Sequence, residues 1–99
     1  MTTHVNMQFS AKEGRAKEAA DNMANIALPM TRKQPGCLEL EFSGDIGKNE
    51  FCIWGTWSSL RDYNSYMAIR KASRKSGHND PIDRDTWKVK IFSAIQIAD

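Results

Sequence analysis

The side chains of this 99-residue chain best suited to chemistry are aromatic: Trp57, Tyr63, Tyr66 and Trp87, with Asn64 between the tyrosines. Aromatic faces favour offset stacking, so Trp57 and Trp87 can wall a cavity for a flat molecule. A phenol hydroxyl both donates and accepts hydrogen bonds, which suits Tyr63 and Tyr66 to a polar aromatic ligand, and the Asn64 amide could orient a ligand oxygen. With an ordinary pKa of about 10, tyrosine is a poor resting base at neutral pH. His78, beside Asn79 and Asp80, is the only histidine beyond His4 and the natural general base of the chain. Each residue also has a plainer use. Trp57 and Tyr63 fit a core, Tyr66 fits a helix surface, and His78 is then one polar residue of a loop.

Other chemistries lack their residues. The histidines and the two cysteines, Cys37 and Cys52, show no recurrent ligand spacing, so no metal is expected. There is no P-loop, dinucleotide fingerprint or nucleophile elbow, and Gly44 with Gly47 marks only a turn. Arg70, Lys71, Arg74 and Lys75 form the one basic concentration, read either as a solvated helix end or as a patch that steers an anionic substrate to a pocket mouth. The net charge of +2, without a long basic run, gives no reason to expect a nucleic-acid partner. Met1 to Met7 lacks a signal-peptide pattern, and no apolar run approaches the roughly 18 residues of a membrane span. A cytoplasmic protein with reduced cysteines is therefore expected.

The elements that must position these residues follow from hydrophobic period. Val5, Met7 and Phe9 alternate with Asn6, Gln8 and Ser10, as in a strand with one apolar face. From Gly14 the period changes: Ala16, Ala19, Ala20, Met23, Ile26, Ala27 and Met30 form a helical stripe, which Pro29 either kinks or ends near Leu28. Pro35 and Gly36 close that region. Cys37 to Ser43 alternates again with Leu38, Leu40 and Phe42 on one side, Gly44 to Glu50 is a polar loop, and Phe51 to Trp57 returns as a strand. Ser58 or Ser59 caps a second helix reaching about Ser73, with Leu60, Tyr63 and Met67 on one side. Ser76 to Asp85 reads as a loop and Trp87 to Ala98 as a long last strand.

Strand, helix, strand, strand, helix, strand is the α+β ferredoxin-like motif: a four-stranded antiparallel sheet with helices on one face, here one domain over residues 1–99. Helices cover only one side of such a sheet. The other carries Cys52, Trp54, Phe92 and Ala94, an apolar patch of the kind that marks an association surface. A homodimer formed through this back, around Trp54 and Phe92, is expected.

The strand ending at Phe9 and leading through Lys12 to Gly14, the segment Pro35-Gly36-Cys37-Leu38, and the strand-to-helix junction at Trp57-Ser58-Ser59 resemble the antibiotic biosynthesis monooxygenase family, also called quinol monooxygenase-like. That resemblance implies a dimeric α+β barrel. It also implies cofactor-independent oxygenation of a small aromatic phenol, hydroquinone or quinone-like compound, without metal or flavin. A non-catalytic dimeric protein that binds a small ligand is the competing expectation. Several positions depart from the family pattern. Tyr66 stands where many members have a histidine, Gly55 near a frequent glutamate, and Met7 where haem-degrading relatives have an asparagine. The resemblance thus makes Tyr66, with His78 as a substitute base, the catalytic candidate, and Trp57, Tyr63, Asn64 and Trp87 the substrate-binding ones.

Overall fold

A computed structural model describes residues 2–73 and 79–98. Strand β1 spans Thr3–Ala11, followed by a short helix α1 at Ala16–Asn22, a π-helical turn at Met23–Ala27, and helix α2 at Leu28–Arg32. Strands β2, Cys37–Asp45, and β3, Glu50–Trp57, form a hairpin; helix α3, Leu60–Ser73, and strand β4, Ile82–Ser93, complete the fold. The sheet is antiparallel in the order β2-β3-β1-β4, with β3 and β1 as the two central strands. This is the ferredoxin-like arrangement, with the helices on one face.

Register fixes the faces. Val5, Met7 and Phe9 of β1 pair with Gly55, Ile53 and Phe51 of β3, so every one of these residues points to the helices. They form the core together with Ala11, Leu40, Trp57 and Ile82 from the sheet and Ala19, Met23, Leu28, Tyr63 and Tyr66 from the helices. Phe9 is the hub of an aromatic row, 5.3 Å from Phe51 and 5.0 Å from Trp87 between ring centroids.

The first helical region departs from the regular stripe. Pro29 has no amide hydrogen to give to the carbonyl of Asn25. The chain slips to five-residue spacing just before it, with the Leu28 amide donating to the Met23 carbonyl, and Pro29 then falls in the first turn of α2, where a missing donor costs nothing. One inserted residue rotates the following turn by about 100°. Consequently Leu28 and Thr31 face the core, while Ile26 and Met30, placed on the apolar stripe by simple periodicity, are exposed.

Four further features differ from the sequence expectation. A bulge after Cys37 turns Leu38 outward, 62% exposed, and leaves Cys37 beside Leu40 and Phe42 on the core side. The hairpin loop shortens to residues 46–49, because β2 and β3 pair as far as Asp45 with Glu50. The Asn49 side-chain amide clamps this tip to the end of β1 by accepting from Ala11 N–H and donating to Ala11 C=O, both at 2.8 Å. Finally, Ile82 to Asp85 belongs to β4 and not to a loop, since Ile82 and Asp83 pair with Ala11 and Ser10 across a bulge. The strand ends at Ser93 and not at Ala98; one hydrogen bond from Ala94 N–H to the Thr2 carbonyl follows, and β1 offers no partner beyond it. The cysteines are unbridged, Cys37 on the core side and Cys52 on the opposite face beside Asn6.

The junction between α2 and β2 is locked to the start of α3. Gly36 adopts φ +84° and its carbonyl accepts from Ser58 N–H at 2.8 Å. Asp62 accepts from the Ser58 hydroxyl, and its own amide donates to the Ser59 hydroxyl, which caps α3. A Cβ on Gly36 would lie 2.4 Å from Asp62 Oδ2. Gly36→Ala therefore meets both a left-handed backbone and a steric overlap, and a loss of about 2 kcal/mol or more is expected in urea unfolding. A midpoint equal to that of the parent would refute this account of the junction.

Candidate functional site

Between the helices and the sheet lies a cavity of about 290 Å³. That is near the lower end of the roughly 300–1,000 Å³ typical of small-molecule sites. Its floor is Met7, Leu40, Ile53 and Trp57 of the sheet. The π-helical turn and α2 supply Met23, Leu28 and Thr31, and α3 supplies Tyr63, Tyr66, Met67 and Arg70. Trp87 and Arg84 of β4 close the remaining side. A larger hollow of about 830 Å³ lies against the other face, among Gln8, Ser43, Cys52 and Lys88, but it is shallow and open.

Trp57 organises the aromatic wall. It is 1% exposed, its ring stacks on Tyr66 with centroids 5.6 Å apart, and Tyr63 meets it edge-on at 5.7 Å. Spacing of three residues on α3 puts both tyrosines on the side facing the sheet, while Leu60, the expected head of that stripe and the first residue of the helix, is left 46% exposed. Burial pushes the Tyr63 phenol up from its ordinary pKa, so it remains a neutral hydroxyl.

The Tyr66 hydroxyl lies 2.6 Å from Thr31 Oγ1, and the Thr31 hydroxyl donates to the Ala27 carbonyl at 2.9 Å. Thr31 has a single proton to give. Tyr66 is then the donor to Thr31, and its remaining lone pairs can accept a hydrogen bond from a ligand hydroxyl. The relay ends on a backbone carbonyl, which cannot take up a proton, so the pair can orient a hydroxyl far better than it can deprotonate one.

A second polar group awaits a partner. Among the described residues Trp57 Nε1 is the buried side-chain polar atom without one. A Cβ on Gly55 would lie only 3.2 Å from that nitrogen, so glycine at this position makes room for the edge of the indole.

Of the residues singled out by sequence, the cavity brings together Trp57, Tyr63, Tyr66 and Trp87. Asn64 is exposed on the far side of α3, and His78 lies outside the described residues. Met7 lines the cavity, whereas Asn6 faces the opposite side of the sheet, where its amide donates to Cys52 Sγ at 2.9 Å. Thr31 and Arg84 carry the strongest polar features that sequence reasoning missed. Thr31 was detectable only through the phase slip that Pro29 imposes, and Arg84 was hidden in a segment read as loop.

Comparison with known proteins agrees with this geometry. The family model described as antibiotic biosynthesis monooxygenase matches residues 2–72. Among solved structures, a putative antibiotic biosynthesis monooxygenase from Deinococcus radiodurans superposes with a TM-score of 0.70 at 19% identity, covering 98% of this chain and 96% of that one. SnoaB from Streptomyces nogalater, described as a cofactor-independent oxygenase, superposes with a TM-score of 0.65 at 16% identity, over 97% and 95% of the two chains. Protein SO0527 from Shewanella oneidensis gives 0.73 at 15% identity, over 92% and 88%. No curated protein matches. At these identities the superpositions speak for the fold, and the family follows from the sequence model spanning most of the chain: the protein belongs to the antibiotic biosynthesis monooxygenase family.

Proposed function

We propose that the chain is a cofactor-independent monooxygenase acting on a small aromatic phenol or hydroquinone. The observation that carries this reading is the Tyr66 hydroxyl, held by Thr31 in an aromatic-walled cavity with its acceptor side available. The description of SnoaB as a cofactor-independent oxygenase lends the reaction class support. A hydroquinone can itself supply all four electrons that dioxygen needs. Loss of its two hydroxyl protons and two electrons gives the quinone, insertion of one oxygen atom into a ring C–H consumes two more, and the second oxygen atom leaves as water. Tyr66 would fix the hydroxyl, and the aromatic walls would hold the ring and exclude bulk water.

The second reading is a ligand-binding protein without turnover. One observation favours it: among the described residues no carboxylate or imidazole lines the cavity. The substrate's own acidity must then provide the electron-rich phenolate. Oxygen consumption with a panel of hydroquinones and naphthols, under strict metal exclusion, separates the readings. Turnover above the free-solution rate, reduced about 10- to 100-fold by Tyr66→Phe, is expected for the oxygenase. Binding with no turnover leaves the second reading.

We further infer that the protein works as a homodimer that closes a barrel through the uncovered face of the sheet. Trp54 and Phe92 are 47% and 49% exposed there. The same face is electrically polarised, with Glu39 and Glu41 on β2 at one edge and Lys88 and Lys90 on β4 at the other. A two-fold axis along the strands lays β2 of one copy over β4 of the other and opposes these charges, whereas an axis across the strands would oppose like to like. Reversing Lys88 and Lys90 to glutamate should shift the protein toward monomer in sedimentation velocity, and adding Glu39→Lys and Glu41→Lys should restore the dimer. Failure of the swap to restore association would reject this axis.

A further inference from the structure

The lining of the cavity described above is mostly apolar and aromatic, and two arginines join it from different elements. Arg70 comes from the last turn of α3 and Arg84 from the early part of β4. Arg84 is held in position: its Nε donates to Asp80 Oδ2 at 2.5 Å, and its guanidinium carbon lies 5.1 Å over the Trp87 ring. Those contacts occupy one edge and one face of the fork. Its two terminal nitrogens make no hydrogen bond with the described residues, and the Arg70 guanidinium makes none at all with them.

Two cations lining one cavity repel each other, and desolvating either of them costs free energy unless an anion arrives. Asp80 balances Arg84 from outside the cavity wall and does not line it. A carboxylate is the anion whose planar pair of oxygens matches guanidinium forks, one oxygen to each or both to one. The neutral Tyr63 hydroxyl, also on the wall, adds a further donor, for which no acceptor occurs among the described residues.

We propose that the ligand of this cavity is a flat hydroxylated aromatic acid: its ring lies within the aromatic walls, its hydroxyl donates to Tyr66, and its carboxylate is held by Arg70 and Arg84. This rests on the reading that the cavity takes an aromatic molecule and adds the chemical class that it prefers. A neutral hydroquinone would leave Arg70 without an anion among the described residues and the terminal nitrogens of Arg84 without an acceptor there. The bland use of Arg70, complementing the carbonyl end of α3, accounts for its charge but not for its position in the cavity wall.

The test uses 6-hydroxy-2-naphthoate and 2-naphthol, which share the ring system and the hydroxyl and differ in the carboxylate. In calorimetric titration of the intact protein at low salt, the acid should bind about tenfold or more tightly than the naphthol. Added salt should erode that advantage while leaving the naphthol unaffected. Arg70→Gln should abolish most of the preference without weakening 2-naphthol, and it removes no side-chain hydrogen bond or ion pair with a described residue, so it remains readable even if Arg84→Gln disturbs β4. Equal affinities, or a preference that survives Arg70→Gln and Arg84→Gln together, would overturn the assignment of the carboxylate while leaving an aromatic site intact. If neither compound binds, both the inference and the aromatic reading beneath it fail.

Discussion

The architecture of the site turns on a missing amide hydrogen. Pro29 cannot complete an ordinary helical register, and the chain accommodates it with a π-helical turn that shifts everything downstream by one residue. Without that shift Met30 would stay on the apolar stripe and Thr31, about 100° further round the helix, would fall at its margin. With it, Thr31 is buried and meets Tyr66 across the gap between α2 and α3. The hydrogen bond is short, and both of its partners are shielded from water. Leaving either hydroxyl alone would cost about 1–3 kcal/mol, so the contact ties the two helices together as well as setting the polarity of the cavity.

The first helical region approaches the sheet through small residues. Ala19 is fully buried and Ala20 and Ala27 pack against the core, which allows close contact between helix and strand. On the α3 side the contacts are Tyr63 and Tyr66 against Trp57, large rings that act as spacers. The interior is therefore filled where the helix is alanine-rich and left partly open where it is aromatic. Met23 and Met67, flexible and polarisable, border that opening and can adjust to the shape of an occupant.

Much of this was legible in the sequence, for reasons that particular residues make clear. Val5, Met7 and Phe9, and Phe51, Ile53 and Trp57, alternate without interruption, so strand identity, facing and the ferredoxin-like order followed from period alone. Trp57, Tyr63, Tyr66 and Trp87 could be nominated because few other side chains have the size to wall a ring site. What stayed hidden were changes of phase. The π-turn moved Leu28 and Thr31 inward, the bulge at Cys37 turned Leu38 outward, and the bulge between Gln8 and Ser10 allowed Ile82 to Asp85 to pair as strand despite their loop-like composition. Each is a one-residue slip, small in sequence and decisive for which side of an element a residue faces.

Gly55 connects the packing of the site to its chemistry. A glycine in a central strand gives up side-chain packing, and its place here is justified by the indole of Trp57, whose nitrogen lies where any side chain would press. The family resemblance leads one to expect a glutamate near this position, and a carboxylate there would have been an acceptor beside the Trp57 N–H. With glycine instead, the indole nitrogen is buried without a partner among the described residues. The polar inventory of the cavity becomes lopsided as a result. Two guanidinium groups, Arg70 and Arg84, join the hydroxyls of Thr31, Tyr63 and Tyr66 in its lining. A pocket rich in donors and poor in bases is matched by a ligand that brings its own negative charge and acidity, so the substitutions that remove familiar catalytic groups also define what the site is complementary to.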